Sequence, residues 1–275
     1  MPEGPEIRRA ADRLAAALEG ERVTRISFGL THLKAWERRL RNTRIRRVQA
    51  RGKAILTRFS NGLVIYSHNQ LYGRWEIVTG DEYPESTRQL RLAIHTGGHS
   101  ALLYSASDIE VLNEEALEDH PYLRRLGPEL LDEALDTATV ATRLAEPRWR
   151  RRALMGLLQD QSVLAGMGNY LCCETLHVAG IHPRLRSADL TKETLTRLAD
   201  ACLRLTRQSY VTGGITNDLD HADRLRREGL PFEDYRFHVY RRAGQPCYRC
   251  GTPILKARFA GRMGYICPGC QPEPA

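Results

Sequence analysis

Residues 247–270 read CYRCGTPILKARFAGRMGYICPGC. Two CxxC pairs, Cys247/Cys250 and Cys267/Cys270, stand 16 residues apart. That spacing suits four thiolates closing on a single zinc ion. A module this short buries too little apolar surface to fold unaided, so the metal would supply folding free energy. Four thiolates leave no open coordination position, which makes the expected zinc structural, one per chain. Between the pairs, Lys256-Ala-Arg258-Phe-Ala-Gly-Arg262 is basic and reads as the tip of a hairpin. An interaction finger for another protein would share the cysteines; the basic tip favours nucleic acid.

Working outward, the charge points the same way. The chain of 275 residues carries a net charge of +8. From Phe237 onward six Lys/Arg face one acid, so five of those eight charges sit in one seventh of the length. A concentrated basic patch suits a polyanion, and nucleic acid is the commonest one. The other three cysteines, Cys172, Cys173 and Cys202, lie in helix-like sequence and are expected to be buried free thiols in a reducing compartment. No stretch approaches the roughly 20 apolar residues of a membrane span, and the N-terminus lacks the apolar core of a secretion signal. The expected location is the cytoplasm or the nucleoid, with no membrane partner. Hydrophobic content of 42% is enough for real cores.

Periodicity divides the chain. Residues 4–19 predict a helix, with Ile7, Ala11, Leu14 and Leu18 at helical spacing and Gly20 as the stop. Residues 22–112 predict short strands at 44–50, 53–59, 63–67, 74–78, 90–95 and 101–104, with Asn61-Gly62 and Gly97-Gly98 as turns. This pattern suits a two-layered sandwich or a barrel. Residues 113–135 read as an interdomain connection. Helices are predicted at 136–146, 150–163, 168–179 and 191–210, and 211–236 reads as a mobile loop. The expected domains are 1–118, a linker at 119–135, a helical domain at 136–236 and the finger at 237–271.

Four local arrangements could carry chemistry. In Met1-Pro2-Glu3-Gly4-Pro5-Glu6, the plain reading is a helix N-terminus with proline and acids in the first turn. The sharper reading needs removal of Met1, which a small second residue permits. Pro2 would then offer a secondary amine titrating near pH ~8, able to form a Schiff base, with Glu3 as its proton shuttle. Lys53, after Gly52 at the start of an apolar strand, suits either a sheet edge or a phosphate contact. In His68-Asn69-Gln70-Leu71-Tyr72-Gly73, the middle three residues could fold back onto the sheet or wedge into a base stack. Ala165-Gly166-Met167-Gly168-Asn169-Tyr170 is a glycine turn before a helix, either a plain corner capped by Asn169 or a phosphate site.

Taken together and in order, MPEGPEIRRAADRL, the RGKA around Lys53, SHNQLYGRW, LYSASDIE, HPYLRRLGPE, LAGMGNYL and the terminal cysteine pairs resemble the formamidopyrimidine-DNA glycosylase/endonuclease VIII family. The resemblance runs from residue 1 to about 271. The Gln70-Leu71-Tyr72 and Ser105–Asp108 segments look like the bacterial endonuclease VIII branch. The resemblance implies an α+β fold: an N-terminal helix and β-sandwich, a helix–two-turns–helix domain, and a β-hairpin zinc finger.

It also implies a bifunctional DNA glycosylase/AP lyase of base excision repair, removing oxidised pyrimidines and cleaving the strand by β,δ-elimination. Pro2 would be the nucleophile, Glu3 the proton donor, and Lys53 and Arg262 helpers at the sugar and in elimination. Asn169, Arg262 and Arg125 would contact DNA, Gln70, Leu71 and Tyr72 would fill the gap left by the flipped nucleotide, and Glu6 and Glu174 would support the active site. Cys247, Cys250, Cys267 and Cys270 would hold zinc. The implied partner is damaged double-stranded DNA, met by a monomer; the sequence implies no protein partner. His182-Pro183 and Tyr240-Arg241-Arg242 sit closer to the formamidopyrimidine branch. An 8-oxoguanine/formamidopyrimidine-DNA glycosylase and a non-catalytic zinc-finger DNA-damage binder therefore stand as the alternatives.

Overall fold

A computed structural model describes residues 2–259 and 261–274. The chain divides into two compact units, one ending at Arg125 and the other beginning at Leu126.

The first unit opens with α1 (Gly4–Leu18), which presents Ile7, Ala10, Ala11, Leu14 and Leu18 to the core. These residues recur every three or four positions, and each fully buried Ile or Leu contributes about 2 kcal/mol. Then come β1 (Arg25–Phe28), α2 (Glu37–Leu40), β2 (Ile45–Arg51), β3 (Ala54–Phe59), β4 (Leu63–His68), β5 (Arg74–Thr79), β6 (Leu90–His95), β7 (His99–Tyr104), β8 (Asp108–Asn113) and α3 (Glu114–Glu118). Two four-stranded antiparallel sheets result, ordered β1-β6-β7-β5 and β2-β3-β4-β8. Ile26, Phe28, Ile55, Ile65, Leu92, Ile94, Leu103 and Val111 fill one core with the apolar face of α1.

Strand β3 is buried on both faces. Ile55 and Phe59 join the main core, while Ala54 and Leu56 meet Val64, Tyr66 and Leu117, with Tyr122 and Leu123 packed alongside. That second cluster brings the segment after α3 back over β3. The strands β1 and β8 were not singled out in the sequence. Strand β1 has only four residues, and both pair only with strands distant in the chain, β6 and β4.

The second unit contains α4 (Thr137–Ala145), α5 (Leu154–Leu158), α6 (Asn169–Ala179), α7 (Lys192–Thr212), α8 (Leu219–Arg227) and α9 (Phe232–Tyr235). The hairpin of β9 (Leu255–Phe259) and β10 (Arg262–Ile266) follows. Phe259, Ile266, Cys247 and Cys267 share a core with Leu171, Leu176, Leu198 and Cys202, so the finger packs on the helices as part of one body. As expected, Cys172, Cys173 and Cys202 are buried thiols that form no disulfide.

Two expectations for this unit are corrected. The helix predicted at 150–163 shrinks to α5, because Asp160 turns the chain: its carboxylate accepts from the Ser162 amide and hydroxyl and from Arg152. The loop expected at 211–236 contains α8 and α9. The Asp218 side chain caps α8 by accepting from the His221 amide at 2.9 Å, and Asn217 is pinned by donating to the Tyr235 carbonyl. Among the described residues no helix is long and apolar enough to cross a membrane.

Candidate active site and nucleic-acid interface

Within the first unit, Glu3 sits at the cap position of α1 and is only 3% exposed. Its amide donates to the Glu6 carboxylate at 3.0 Å, which fixes how the chain enters the helix. Glu6 therefore positions the segment that carries Pro2 and Glu3. Met1, on whose removal a free Pro2 amine depends, lies outside the described residues.

Lys53 occupies the turn between β2 and β3 and is 8% exposed. A lysine this buried is not the solvated gatekeeper of a sheet edge. Its amide donates to the Tyr122 phenol at 2.8 Å. Tyr122 in turn presents its ring to the edge of His68, with centroids 5.6 Å apart. The β4–β8 register sets His68 opposite Asp108. Burial lowers the pKa of His68 and Lys53 adds to this, while Asp108 opposes it. Burial likewise raises the pKa of Asp108, against the pull of His68.

The candidate wedge stands on a braced turn. Leu71 and Tyr72 are 57% and 71% exposed, so neither folds back onto the sheet. Gln70 adopts a left-handed backbone (φ 52°), and its amide donates to His68 Nδ1 at 3.0 Å. The Gly73 amide closes the turn on the Asn69 carbonyl at 2.7 Å. A Cβ at Gly73 would lie 2.4 Å from that carbonyl oxygen, so only glycine fits. Arg88 donates to the Tyr72 carbonyl at 2.8 Å, and the Ser107 hydroxyl to Gln70 Oε1 at 2.9 Å. Arg125, at the end of the unit, is exposed and donates to the Pro121 carbonyl.

In the second unit, Gly166 (φ 90°) turns the chain and Gly168 caps α6 in extended backbone, leaving Asn169 as the first helical residue. The glycine turn thus sets Asn169 at the N-terminal end of α6, the positive end of the helix dipole. Glu174, on the same helix, is fully buried. Its carboxylate accepts from the amides of His238, Val239 and Tyr240 at 2.7–2.9 Å and from the Thr216 hydroxyl at 2.7 Å. This carboxylate shapes the chain before the finger; its partners carry no sequence signal, because backbone amides belong to every residue. Arg262, exposed, begins β10 beside the hairpin tip.

The four cysteine Sγ atoms lie within 4.8 Å of one another. Cys247 and Cys270 are 3.9 Å apart, Cys250 and Cys267 3.3 Å, and Cys250 and Cys270 3.5 Å. Tetrahedral zinc with bonds of about 2.3 Å needs sulfur separations of about 3.8 Å, so the donor set fits one ion. Gln271 ties the site down, accepting from the Cys267 amide and donating to the Ile181 carbonyl after α6.

Sandwich, helical unit and four-thiolate finger match three family models in chain order. These are the formamidopyrimidine-DNA glycosylase N-terminal domain at residues 1–107, the formamidopyrimidine-DNA glycosylase H2TH domain at 126–219, and a zinc finger found in FPG and IleRS at 244–272. The chain belongs to the formamidopyrimidine-DNA glycosylase/endonuclease VIII family. Within it, the chain is 46% identical over 271 residues to Endonuclease 8 of Escherichia coli O17:K52:H18, covering 98% of this chain and all of that one. Endonuclease 8 of Shigella sonnei matches equally, and that of Salmonella dublin is 45% identical over the same coverage. Among solved structures, the Lactococcus lactis formamidopyrimidine-DNA glycosylase bound to abasic-site DNA superposes with a TM-score of 0.80 at 21% identity, over 98% of this chain and all of that one. MutM in complex with DNA containing carbocyclic 8-oxo-G gives 0.82 at 22%, over 99% and 100%. At that identity these two establish the fold.

Proposed function

We infer that this chain is a bifunctional DNA glycosylase/AP lyase of base excision repair, that its substrates are oxidised pyrimidines in duplex DNA, and that Pro2 is its nucleophile. End-to-end likeness to Endonuclease 8 proteins supports the activity and favours the pyrimidine branch. The observation that carries the site assignment is the buried carboxylate of Glu3, held next to Pro2 by the start of α1.

The chemistry follows from these groups. After Met1 is removed, the Pro2 nitrogen attacks C1′ of the damaged nucleotide, and Glu3 delivers the proton that lets the sugar ring open. The base leaves, and the bond to nitrogen becomes an iminium. That cation acidifies the C2′ proton; its loss expels the 3′ phosphate (β-elimination), and a second loss expels the 5′ phosphate (δ-elimination). Lys53 contacts the sugar and its phosphate, and Arg262 stabilises the departing one. Asn169 grips a flanking phosphate, with Arg125 as a further backbone contact. Leu71 and Tyr72 fill the stack vacated by the flipped nucleotide. Zinc, when bound by Cys247, Cys250, Cys267 and Cys270, holds the hairpin that carries Arg262. The protein acts as a monomer, one site per chain.

Borohydride reduction of the processed protein mixed with a duplex containing oxidised thymine tests this reading. A covalent adduct that disappears in Pro2→Gly is expected. Absence of an adduct, or one that persists in that variant, overturns the Pro2 assignment. A parallel 8-oxoguanine duplex cleaved faster than the oxidised-thymine one would move the chain to the other branch.

A further inference from the structure

The turn at residues 69–73 holds more than an exposed apolar pair. The Ser107 hydroxyl donates to Oε1 of Gln70 at 2.9 Å, across 37 residues of sequence. Among the described residues Gln70 Nε2 has no hydrogen-bond partner. The backbone beneath it is constrained at three further points: the Gln70 amide on His68 Nδ1, the Gly73 amide on the Asn69 carbonyl, and Arg88 on the Tyr72 carbonyl. A glutamine amide normally rotates to offer either its oxygen or its NH2. Here the oxygen is already engaged, and the NH2 has its hydrogen bonds still to give.

We propose that Ser107 is a positioning residue that sets opposite-base preference, by holding the Gln70 amide so that it presents only donors to the base left unpaired by the flipped nucleotide. This rests on the reading, given above, that residues 70–72 enter the duplex. An NH2 held this way favours a base with an acceptor at the centre of its Watson–Crick edge, as adenine (N1) and cytosine (N3) have. Guanine and thymine present an N–H there, and donor then faces donor. One hydrogen bond made or lost corresponds to about a fivefold change in rate. Ser107 lies in the Ser105–Asp108 stretch, where Ser105 has a left-handed backbone (φ 54°) that turns the chain into β8. The hydroxyl is thereby placed by that turn and by the start of β8, which follows it directly.

The test uses one oxidised pyrimidine placed opposite each of the four bases, with single-turnover base removal as the readout. The full-length zinc-loaded protein should act about fivefold faster opposite adenine and cytosine than opposite guanine and thymine. In Ser107→Ala the amide is free to rotate, and the ratio should fall to within about twofold. Ser107→Thr keeps the hydroxyl and should keep the ratio. The same alanine change added to Gln70→Leu should have no further effect on the ratio. A purely structural role for Ser107 would slow all four duplexes alike and leave the ratio intact, which overturns the proposal. A wild-type protein indifferent to the opposite base overturns it as well. Failure of the wild type to form a borohydride adduct with any duplex is a different result: it removes the glycosylase reading itself, and this proposal with it.

Discussion

The amide of Lys53 donates to the phenol of Tyr122, binding the turn between β2 and β3 to a segment 69 residues further along. Lys53 is buried, so the direction of its side chain depends on where this turn is held. Replacing Tyr122 by Phe removes that acceptor while keeping the ring that packs on Tyr66 and His68. Stability should fall by about 1 kcal/mol. Strand cleavage should fall by about tenfold, more than base removal, because Lys53 is assigned to elimination. Product analysis on gels separates the two steps; equal loss of both would show that Tyr122 does not act through Lys53.

Glu174 supports the chain before the finger with four accepted hydrogen bonds. Glu174→Gln keeps the size but turns an NH2 toward groups that are themselves donors. A cost of about 3 kcal/mol is expected, since buried amides lose a charged acceptor. Urea denaturation followed by a probe in the second unit should report it, and a change below about 1 kcal/mol would mean the backbone at 238–240 is held by other contacts.

Zinc removal should act on the finger and spread into the helices. Cys247 and Cys267 belong to the same core as Leu171 and Leu198, so losing the ion loosens that core. Metal analysis should give one zinc per chain. Cys267→Ser should lose the ion, expose residues 244–272 to protease and weaken duplex binding through Arg262. Full zinc content in that variant would refute the four-thiolate site.

Acid should weaken the first unit through His95. This imidazole is fully buried, with Ser100 Oγ at 2.7 Å from Nδ1 and Tyr83 Oη at 2.9 Å from Nε2. Burial lowers its pKa from 6.5 and Arg25 adds to this, against Asp81. The unfolded chain therefore binds the proton more readily than the folded one. The stabilisation is complete above pH 6.5 and declines as pH falls toward the folded value. Thermal midpoints of wild type and His95→Gln between pH 7.5 and pH 5 should converge on acidification. Parallel curves would exclude His95 as the cause. His177 and His238, also lowered by burial, add the same sign in the second unit and are common to both proteins.

What could be read from the sequence was local. The cysteine spacing named a four-thiolate zinc site; the helical period of Ile7 to Leu18 marked α1; glycines marked the turn before α6 and those at Asn61-Gly62 and Gly97-Gly98. Each depends on residues near one another in the chain, where periodicity and backbone geometry operate directly. Sequence reasoning also misjudged residues 211–236, although the Asp218 cap and the apolar Ala222 of α8 were there to be read. Only the tertiary structure decided what Lys53, Glu174 and Gln70 face: the Tyr122 phenol, three backbone amides with the Thr216 hydroxyl, and the Ser107 hydroxyl. These contacts join positions 37 to 69 residues apart, and nothing in either stretch alone specifies the other. Sheet register and core packing bring them together, because burying the apolar faces of the strands and helices leaves their polar groups a single set of partners.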